Sequence, residues 1–288
     1  MLKGYTKQEI SWMMYDWANS AHSVIIVTLL PIFFDTVAGY TADSVSSMST
    51  WGYATSIAML IVALAAPFLG VFGDIRGMRK KLFSFFMLLG VAACAGMAFT
   101  PGMDFTSGPV AAGKVASLIL VLYIVSVIGF DASAIYYDAF LTDVTIEDRM
   151  DKVSTMGYGL GYIGGSTIPL LIFLIMNLVG VPMLTCLAFV FGLTAVWWLA
   201  FSLPLLKNCE QTSGKPYEKG DVARSIKGVG TTIKEIIANK PMLIYILSYF
   251  FYIDGVHTVI SMATTYGTNL GLDSAGMLLA LLLVQVLG

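Results

Sequence analysis

Residues 54–99 read ATSIAMLIVALAAPFLGVFGDIRGMRKKLFSFFMLLGVAACAGMAF and decide the class of fold. Two apolar runs, each long enough to cross about 30 Å of hydrocarbon, flank a short loop rich in glycine and basic residues. The whole chain has this character, since 57% of its 288 residues are apolar and only 12% are charged. A soluble domain carries about 25% charged residues. The sequence therefore predicts an all-α, multi-pass membrane protein.

Seven apolar runs are long enough to span a membrane as helices. They cover residues 12–38, 50–72, 82–100, 115–139, 153–177, 183–205 and 242–265. An eighth run starts near Ala275, about 14 residues before Gly288. It ends without a cap, a charge or a polar tail, so we expect the chain to be cut short.

The basic residues fix the expected orientation. Of the 16 Lys and Arg residues, 15 lie on the N-terminus and on the segments after the second, fourth and sixth runs, and only Lys114 lies opposite. Because basic residues concentrate on the cytoplasmic side, we expect the N-terminus to be cytoplasmic, in the cell (inner) membrane.

The order of the runs predicts three parts. Residues 1–205 are expected to form a six-helix half, 206–241 a cytoplasmic linker, and 242–288 the first two helices of a truncated second half. The seventh run repeats a short stretch of the first, which suits a transporter built from two parallel halves. Apolar residues at helical spacing in the linker predict an amphipathic helix, which either lies on the inner leaflet or packs on the cytoplasmic ends of the bundle.

Polar residues within three of the runs predict a solute pathway. An acidic residue in hydrocarbon costs at least about 2.5 kcal/mol on insertion scales, so its presence needs a reason. Such residues share helical faces in the first, fourth and seventh runs, and these faces should meet one another or a water-filled cavity. The alternatives are contacts that only hold helices together and, for Asp16, a cap at the start of the first helix. The predicted substrate or proton pathway comprises Asp16, Asn19, His22, Asp131, Tyr136, Tyr137, Asp138, Asp254 and His257.

A glycine stripe marks the fifth run. Gly157, Gly161 and Gly165 recur at intervals of four, which lets a neighbouring helix backbone approach closely. This spacing favours a packing seam over a ligand site.

The loop 70–81 resembles the signature loop of the major facilitator superfamily. The match includes Gly70, Asp74, Gly77 and Arg79-Lys80, and the chain departs from the pattern at Ile75 and Met78. The resemblance implies a cytoplasmic gate at this loop and the next one. The residues assigned to it are Gly70, Asp74, Arg76, Gly77, Arg79, Asp143 and Arg149.

A narrower resemblance covers most of the chain. Residues 15–21, 136–141 and 157–165 resemble stretches of the UMF1 family, bacterial relatives of the autophagy-related vacuolar effluxers. Asp138 stands where this pattern leads us to expect asparagine. The resemblance implies twelve spans in two six-helix halves and alternating access, with the first, fourth, seventh and tenth spans lining the cavity. Amino-acid export is the best-known activity among the eukaryotic relatives.

These observations predict a secondary active transporter. Its substrate would be a small polar solute, with an amino acid the leading candidate, and protons would couple through Asp131 or Asp254. We expect a monomer in contact with membrane lipid, with no nucleic-acid partner and no resident cofactor or metal. An enzyme is disfavoured because the two histidines lie on different runs and no paired catalytic spacing occurs. The alternative is a non-transporting receptor or scaffold on the same fold.

Overall fold

A computed structural model describes most of the chain. The described residues are 3–41, 47–216, 220–273, 276–277, 279–280 and 283. The side chains of 221–226, 257, 261, 264, 265, 268 and 269 are outside this description. The eighth apolar run therefore lies mostly outside the described residues.

The described chain is helical. Its α-helices are α1 (Lys7–Ala38), α2 (Ser47–Gly73), α3 (Arg79–Met97), α4 (Pro109–Val144), α5 (Glu147–Leu160), α6 (Thr167–Leu178), α7 (Met183–Asn208), α8 (Asp221–Ala238) and α9 (Lys240–Asn269). A π-helix, Gly161–Ser166, joins α5 to α6, so that these three elements form one span. Within the described residues, seven helices are long and apolar enough to cross a membrane. The prediction of an all-α, multi-pass protein is confirmed.

Helix α1 begins earlier than the apolar pattern indicated, because polar residues supply its cap. The Thr6 hydroxyl accepts a hydrogen bond from the Glu9 backbone N–H at 3.1 Å, and the Glu9 carboxylate accepts one from the Thr6 backbone N–H at 2.7 Å. This is a capping box, and its T-x-x-E pattern is readable in the sequence. Asp16 lies well inside the helix, so the alternative that it caps the helix start is wrong.

Helix α1 is the most buried of the spans and contacts α2, α4, α5, α7 and α9. Beside it, α3 and α4 approach most closely at Gly90 and Gly129. A Cβ at Gly129 would lie 2.5 Å from the backbone nitrogen of Gly90, so only hydrogen fits there. Helix α1 also contacts α4, so the polar face of α1 lies beside that helix.

Helix α8 is the predicted amphipathic helix of the linker, and it contacts α2 and α9. Val229 and Ile236 are half-buried, whereas Ile233 and Ile237 are exposed. Among the residues with described side chains, its apolar face thus divides between a part packed on the bundle and a part left open.

Candidate functional site

Asp16 is the centre of the polar face, and its carboxylate is fixed from α4. The Tyr137 hydroxyl donates a hydrogen bond to Oδ2 of Asp16 at 2.7 Å. The Trp12 indole stacks on the Tyr137 ring at 4.3 Å between centroids and donates to the Tyr137 carbonyl oxygen at 2.9 Å. Asp16 remains 7% exposed, and Tyr137 leaves its second carboxylate oxygen unoccupied. This arrangement holds the Asp16 carboxylate in one orientation and leaves its Oδ1 atom free to accept a hydrogen bond.

Three further polar groups share this side of α1 and α4. Asn19 follows Asp16 by one helical turn and is 9% exposed. Asp138 is exposed and directly follows Tyr137, which binds Asp16, and Asp131 lies half-buried two turns earlier on the same face of α4. Within the described residues, none of these three side chains makes a hydrogen bond. With Tyr137, the structure thus places five of the predicted pathway residues on this side of two adjacent helices.

His22 is on α1 but faces a different environment from the carboxylates. It is 2% exposed, stacks on Phe130 at 4.7 Å, and its Nε2 lies 3.3 Å from the Ser126 hydroxyl oxygen. The ring also packs against Trp198 of α7, whose indole donates to the Tyr15 hydroxyl. His22 therefore belongs to an aromatic core, and helical spacing alone placed it at the edge of the polar face.

Tyr136 is likewise turned away from Asp16. Its hydroxyl donates to the Leu69 carbonyl oxygen of α2 at 3.0 Å, and its ring packs where a Cβ of Gly73 would stand. Tyr137 is thus the member of this tyrosine pair that reaches the carboxylate. On α9, Asp254 is exposed, and the side chain of His257 is outside the described residues. Their pathway roles stay predictions.

A second polar cluster lies at the ends of α3 and α4. The Arg79 guanidinium forms an ion pair with Asp143 and donates to the Ala139 carbonyl oxygen at 2.9 Å. The other oxygen of Asp143 accepts hydrogen bonds from the backbone N–H and hydroxyl groups of Thr212 and Ser213, at 2.7–3.0 Å. Arg79 is 5% exposed, and the Asp143 side chain is fully buried. A segment after α7 therefore completes this cluster.

We call that segment, residues 209–216, the linker strap. The Gln211 side-chain oxygen accepts from the Gly77 N–H at 2.8 Å and from the Arg79 N–H at 3.2 Å, while its amide donates to the Gly73 carbonyl oxygen at 3.0 Å. The positive φ of Gly77, 80°, favours glycine at this turn. Sequence reasoning missed the strap because its polar residues look like an ordinary solvated linker.

The remaining residues assigned to the gate are placed differently. Arg149 pairs with Glu9 through two hydrogen bonds of 2.9 Å, so it joins the start of α1 rather than the Asp143 cluster.

The side chains of Asp74 and Arg76 are exposed, and their backbones pair with Lys215 of the strap. A Cβ at Gly70 would meet open space. Arg79 and Asp143 are the two gate residues that the structure joins directly.

The glycine stripe of the fifth span lies against α1. A Cβ at Gly157 would collide with the Asp16 carboxylate, and one at Gly161 would lie 2.6 Å from the Ser20 hydroxyl oxygen. Gly164 belongs to the same contact, since a Cβ there would collide with the Trp17 ring. Gly161 and Gly165 both lie in the π-helix, and both face α1, since a Cβ on either would meet atoms of that helix.

Gly165→Ala is expected to destabilise the protein by about 1–3 kcal/mol, the range for overpacking. The new methyl group would lie 2.5 Å from the Trp17 carbonyl oxygen, which is backbone and cannot rotate away. The measurement is the unfolding midpoint of the purified protein in detergent. Gly159→Ala is the matched control, because a Cβ at Gly159 meets nothing within 4 Å. Equal midpoints for the two variants would contradict the close contact.

Comparisons with known proteins place the chain in a family. The family model described as "Vacuole effluxer Atg22 like" matches residues 5–148 and 142–288. The "Uncharacterized MFS-type transporter YxiO" of Bacillus subtilis is 40% identical over 294 residues, covering 99% of this chain and 66% of that protein. Autophagy-related protein 22-1 of Penicillium rubens is 26% identical over 159 residues, or 51% of this chain and 27% of the relative.

A solved structure agrees on the fold. The crystal structure of a D-xylose-proton symporter superposes with a TM-score of 0.60 at 14% sequence identity, covering 97% of this chain and 65% of that one. This chain thus spans just under two thirds of the length of the first relative and of that structure. Both resemblances noted in the sequence are confirmed. The protein is a multi-pass membrane protein of the major facilitator fold, and it belongs to the Atg22-like vacuole effluxer family.

Proposed function

We propose that the protein is a secondary active transporter that moves a small polar solute by alternating access, and that it is not an enzyme. The observation that carries this proposal is the polar face of α1 and α4, where Asp16, Asn19, Asp131 and Asp138 lie within a membrane-spanning bundle. Ionisable residues within spans mark substrate or ion pathways. Relatives described as effluxers and as an MFS-type transporter support the same class of function.

We propose that the protein is located in the cell (inner) membrane, with its N-terminus in the cytoplasm. The distribution of basic residues supports this orientation, since 15 of the 16 lie on one side. The contacts of Arg149 with Glu9, and of Arg79 with the linker strap, are consistent with one common end for these segments. We further propose that the Arg79–Asp143 cluster belongs to the cytoplasmic gate.

The test of transport begins with a thermal-shift screen of the full-length protein against amino acids, peptides and sugars. A solute that raises the unfolding midpoint is then followed in proteoliposomes, with and without an imposed pH gradient. Flux of that solute is the expected result. A solute that binds without any flux would instead favour the alternative, a receptor or scaffold on the same fold.

We propose that protons couple to transport through Asp131 or Asp254. Asp131 is a carboxylate within the span, and it has no hydrogen-bond partner among the described residues. Replacing the coupling aspartate by asparagine should reduce uptake driven by a pH gradient by about tenfold or more, because the proton carrier is lost. Exchange at equal pH would be affected less. The proposal is wrong if Asp131→Asn and Asp254→Asn both leave pH-driven uptake at the level of an Asp151→Asn control, whose side chain is exposed.

A further inference from the structure

The polar face carries negative charge without a matching cation. No Lys or Arg occurs in residues 8–75, 115–148 or 241–288, which include most of α1 and α4 and nearly all of α9. The arginines at the helix ends are already occupied, Arg79 by Asp143 and Arg149 by Glu9. On α5, Lys152 lies over the Tyr5 ring, 5.6 Å from its centre, and no described ion pair joins a cation to Asp16, Asp131 or Asp138.

The histidine on α1 does not supply that partner either. The contacts of His22 are Phe130, Trp198 and Ser126, whereas Asp16 contacts Tyr137 and the Gly157 backbone region. An ionised carboxylate in low dielectric is costly unless a cation or hydrogen bonds compensate it. The Tyr137 hydroxyl compensates one oxygen of Asp16, and a proton or a positively charged ligand would supply further compensation for the carboxylates of this face.

Asn19, on the same face, is a second polar residue without a described hydrogen-bond partner. Its side chain is 9% exposed and makes no hydrogen bond with any described residue. A carboxamide offers one acceptor oxygen and two N–H donors. It lies one helical turn from Asp16, whose second oxygen is also unoccupied. The two groups together present two unused acceptor oxygens, one from the carboxylate and one from the carboxamide, beside the carboxamide N–H donors.

An aromatic ring adds to the same environment. Tyr158 of α5 is 61% exposed and directly follows Gly157, which packs against the Asp16 carboxylate. Tyrosine rings attract ammonium and guanidinium groups through their faces. Carboxylates, a free carboxamide oxygen and an open tyrosine ring form a set of groups suited to an organic cation.

We propose, resting on the transport function above, that the solute is an organic cation whose ammonium or guanidinium group binds at Asp16 and Asp138, with Asn19 as a further hydrogen-bond acceptor. A zwitterionic amino acid fits this face less well, because its carboxylate would lie beside Asp16 and Asp138, and no described ion pair brings a cation to this face. The solute would then be an amino acid with an additional positive charge or an amine with no carboxylate. Amines and basic amino acids are the classes that meet this condition.

The test uses the full-length protein and four probes of similar length: lysine, norleucine, α-aminoadipate and cadaverine. Norleucine lacks the side-chain ammonium of lysine, α-aminoadipate carries a carboxylate in its place, and cadaverine lacks the carboxylate of lysine. Binding is measured by isothermal calorimetry and flux in proteoliposomes. Lysine and cadaverine should bind at least about tenfold more tightly than norleucine, a difference of about 1.4 kcal/mol.

Substitutions on the polar face test whether its carboxylates cause the preference for cadaverine over norleucine. Asp138→Asn should fold, because Asp138 is exposed and makes no hydrogen bond with the described residues. It and Asp16→Asn should each weaken cadaverine binding by about tenfold, while Asp151→Asn leaves it unchanged. Tyr137→Phe keeps both carboxylates and releases only Oδ2 of Asp16, so it should retain the preference for cadaverine over norleucine.

The outcomes separate this inference from the function on which it rests. Flux of norleucine equal to that of lysine and cadaverine would overturn the cation preference and leave transport standing. A cadaverine preference that survives in both aspartate variants would overturn the assignment to this face. Binding of cadaverine without flux of any probe would overturn the transport function and leave the cation site. Failure of all four probes to bind would overturn the inference.

Discussion

Asp143→Ala should lower the stability of the protein by about 3–5 kcal/mol, the cost of removing one partner from a buried ion pair. The loss is large because Arg79 cannot leave the cluster for water. Arg79 is 5% exposed, its Cζ atom lies 5.8 Å from the centre of the Phe140 ring, and its Nε atom has no partner among the described residues. Without Asp143, a buried positive charge would keep only the Ala139 carbonyl and the Ser213 hydroxyl.

The same substitution should release the linker strap. One oxygen of Asp143 accepts four hydrogen bonds from Thr212 and Ser213, so the strap loses its main attachment between α4 and the loop after α2. Hydrogen–deuterium exchange measures this effect directly, because the Thr212 and Ser213 amides should exchange faster once their acceptor is gone. The unfolding midpoint in detergent reports the accompanying loss of stability.

Two further variants separate the ion pair from the strap. Asp143→Asn keeps an acceptor oxygen for the Thr212 and Ser213 amides but removes the negative charge, so it should lose stability while retaining most of the protection of the strap. Asp151→Ala removes an exposed carboxylate and should change stability by less than about 0.5 kcal/mol. Unchanged exchange at Thr212 and Ser213 in Asp143→Ala would show that the strap is held by other contacts.

The spans and the polar face could be predicted from the sequence because both depend on local properties. Apolar length determines which segments can cross a membrane, and helical spacing determines which residues share a face. Asp131 and Asp138 are seven residues apart, and the structure places both on one side of α4 with at least partial exposure. The assignment to a fold followed from the loop 70–81 and the ordered stretches, and the comparisons confirm it.

The partners of these residues could not be predicted, because each lies far away in sequence. Glu9 binds Arg149, 140 residues later, and Asp143 binds the strap about 70 residues later. Spacing along one helix gives an angle and does not identify the neighbouring helix, which is why His22 was assigned to the polar face and lies in the aromatic core instead. The π-helix at Gly161–Ser166 was missed for a related reason, since its glycines also suit a regular helix.

Gly129→Ala should destabilise the protein by about 3 kcal/mol, at the upper end of the usual range for overpacking. The added methyl group would lie 2.5 Å and 2.7 Å from the N and Cα atoms of Gly90, and 2.8 Å from the Phe86 carbonyl oxygen. All three atoms are backbone, so relief requires α3 and α4 to separate rather than a side chain to rotate. The unfolding midpoint in detergent is the measurement. Gly113→Ala is the matched control on the same helix, because its Cβ meets nothing within 4 Å and alanine favours helix over glycine. A Gly129→Ala midpoint as high as that of Gly113→Ala would mean that the two helices do not touch at this point.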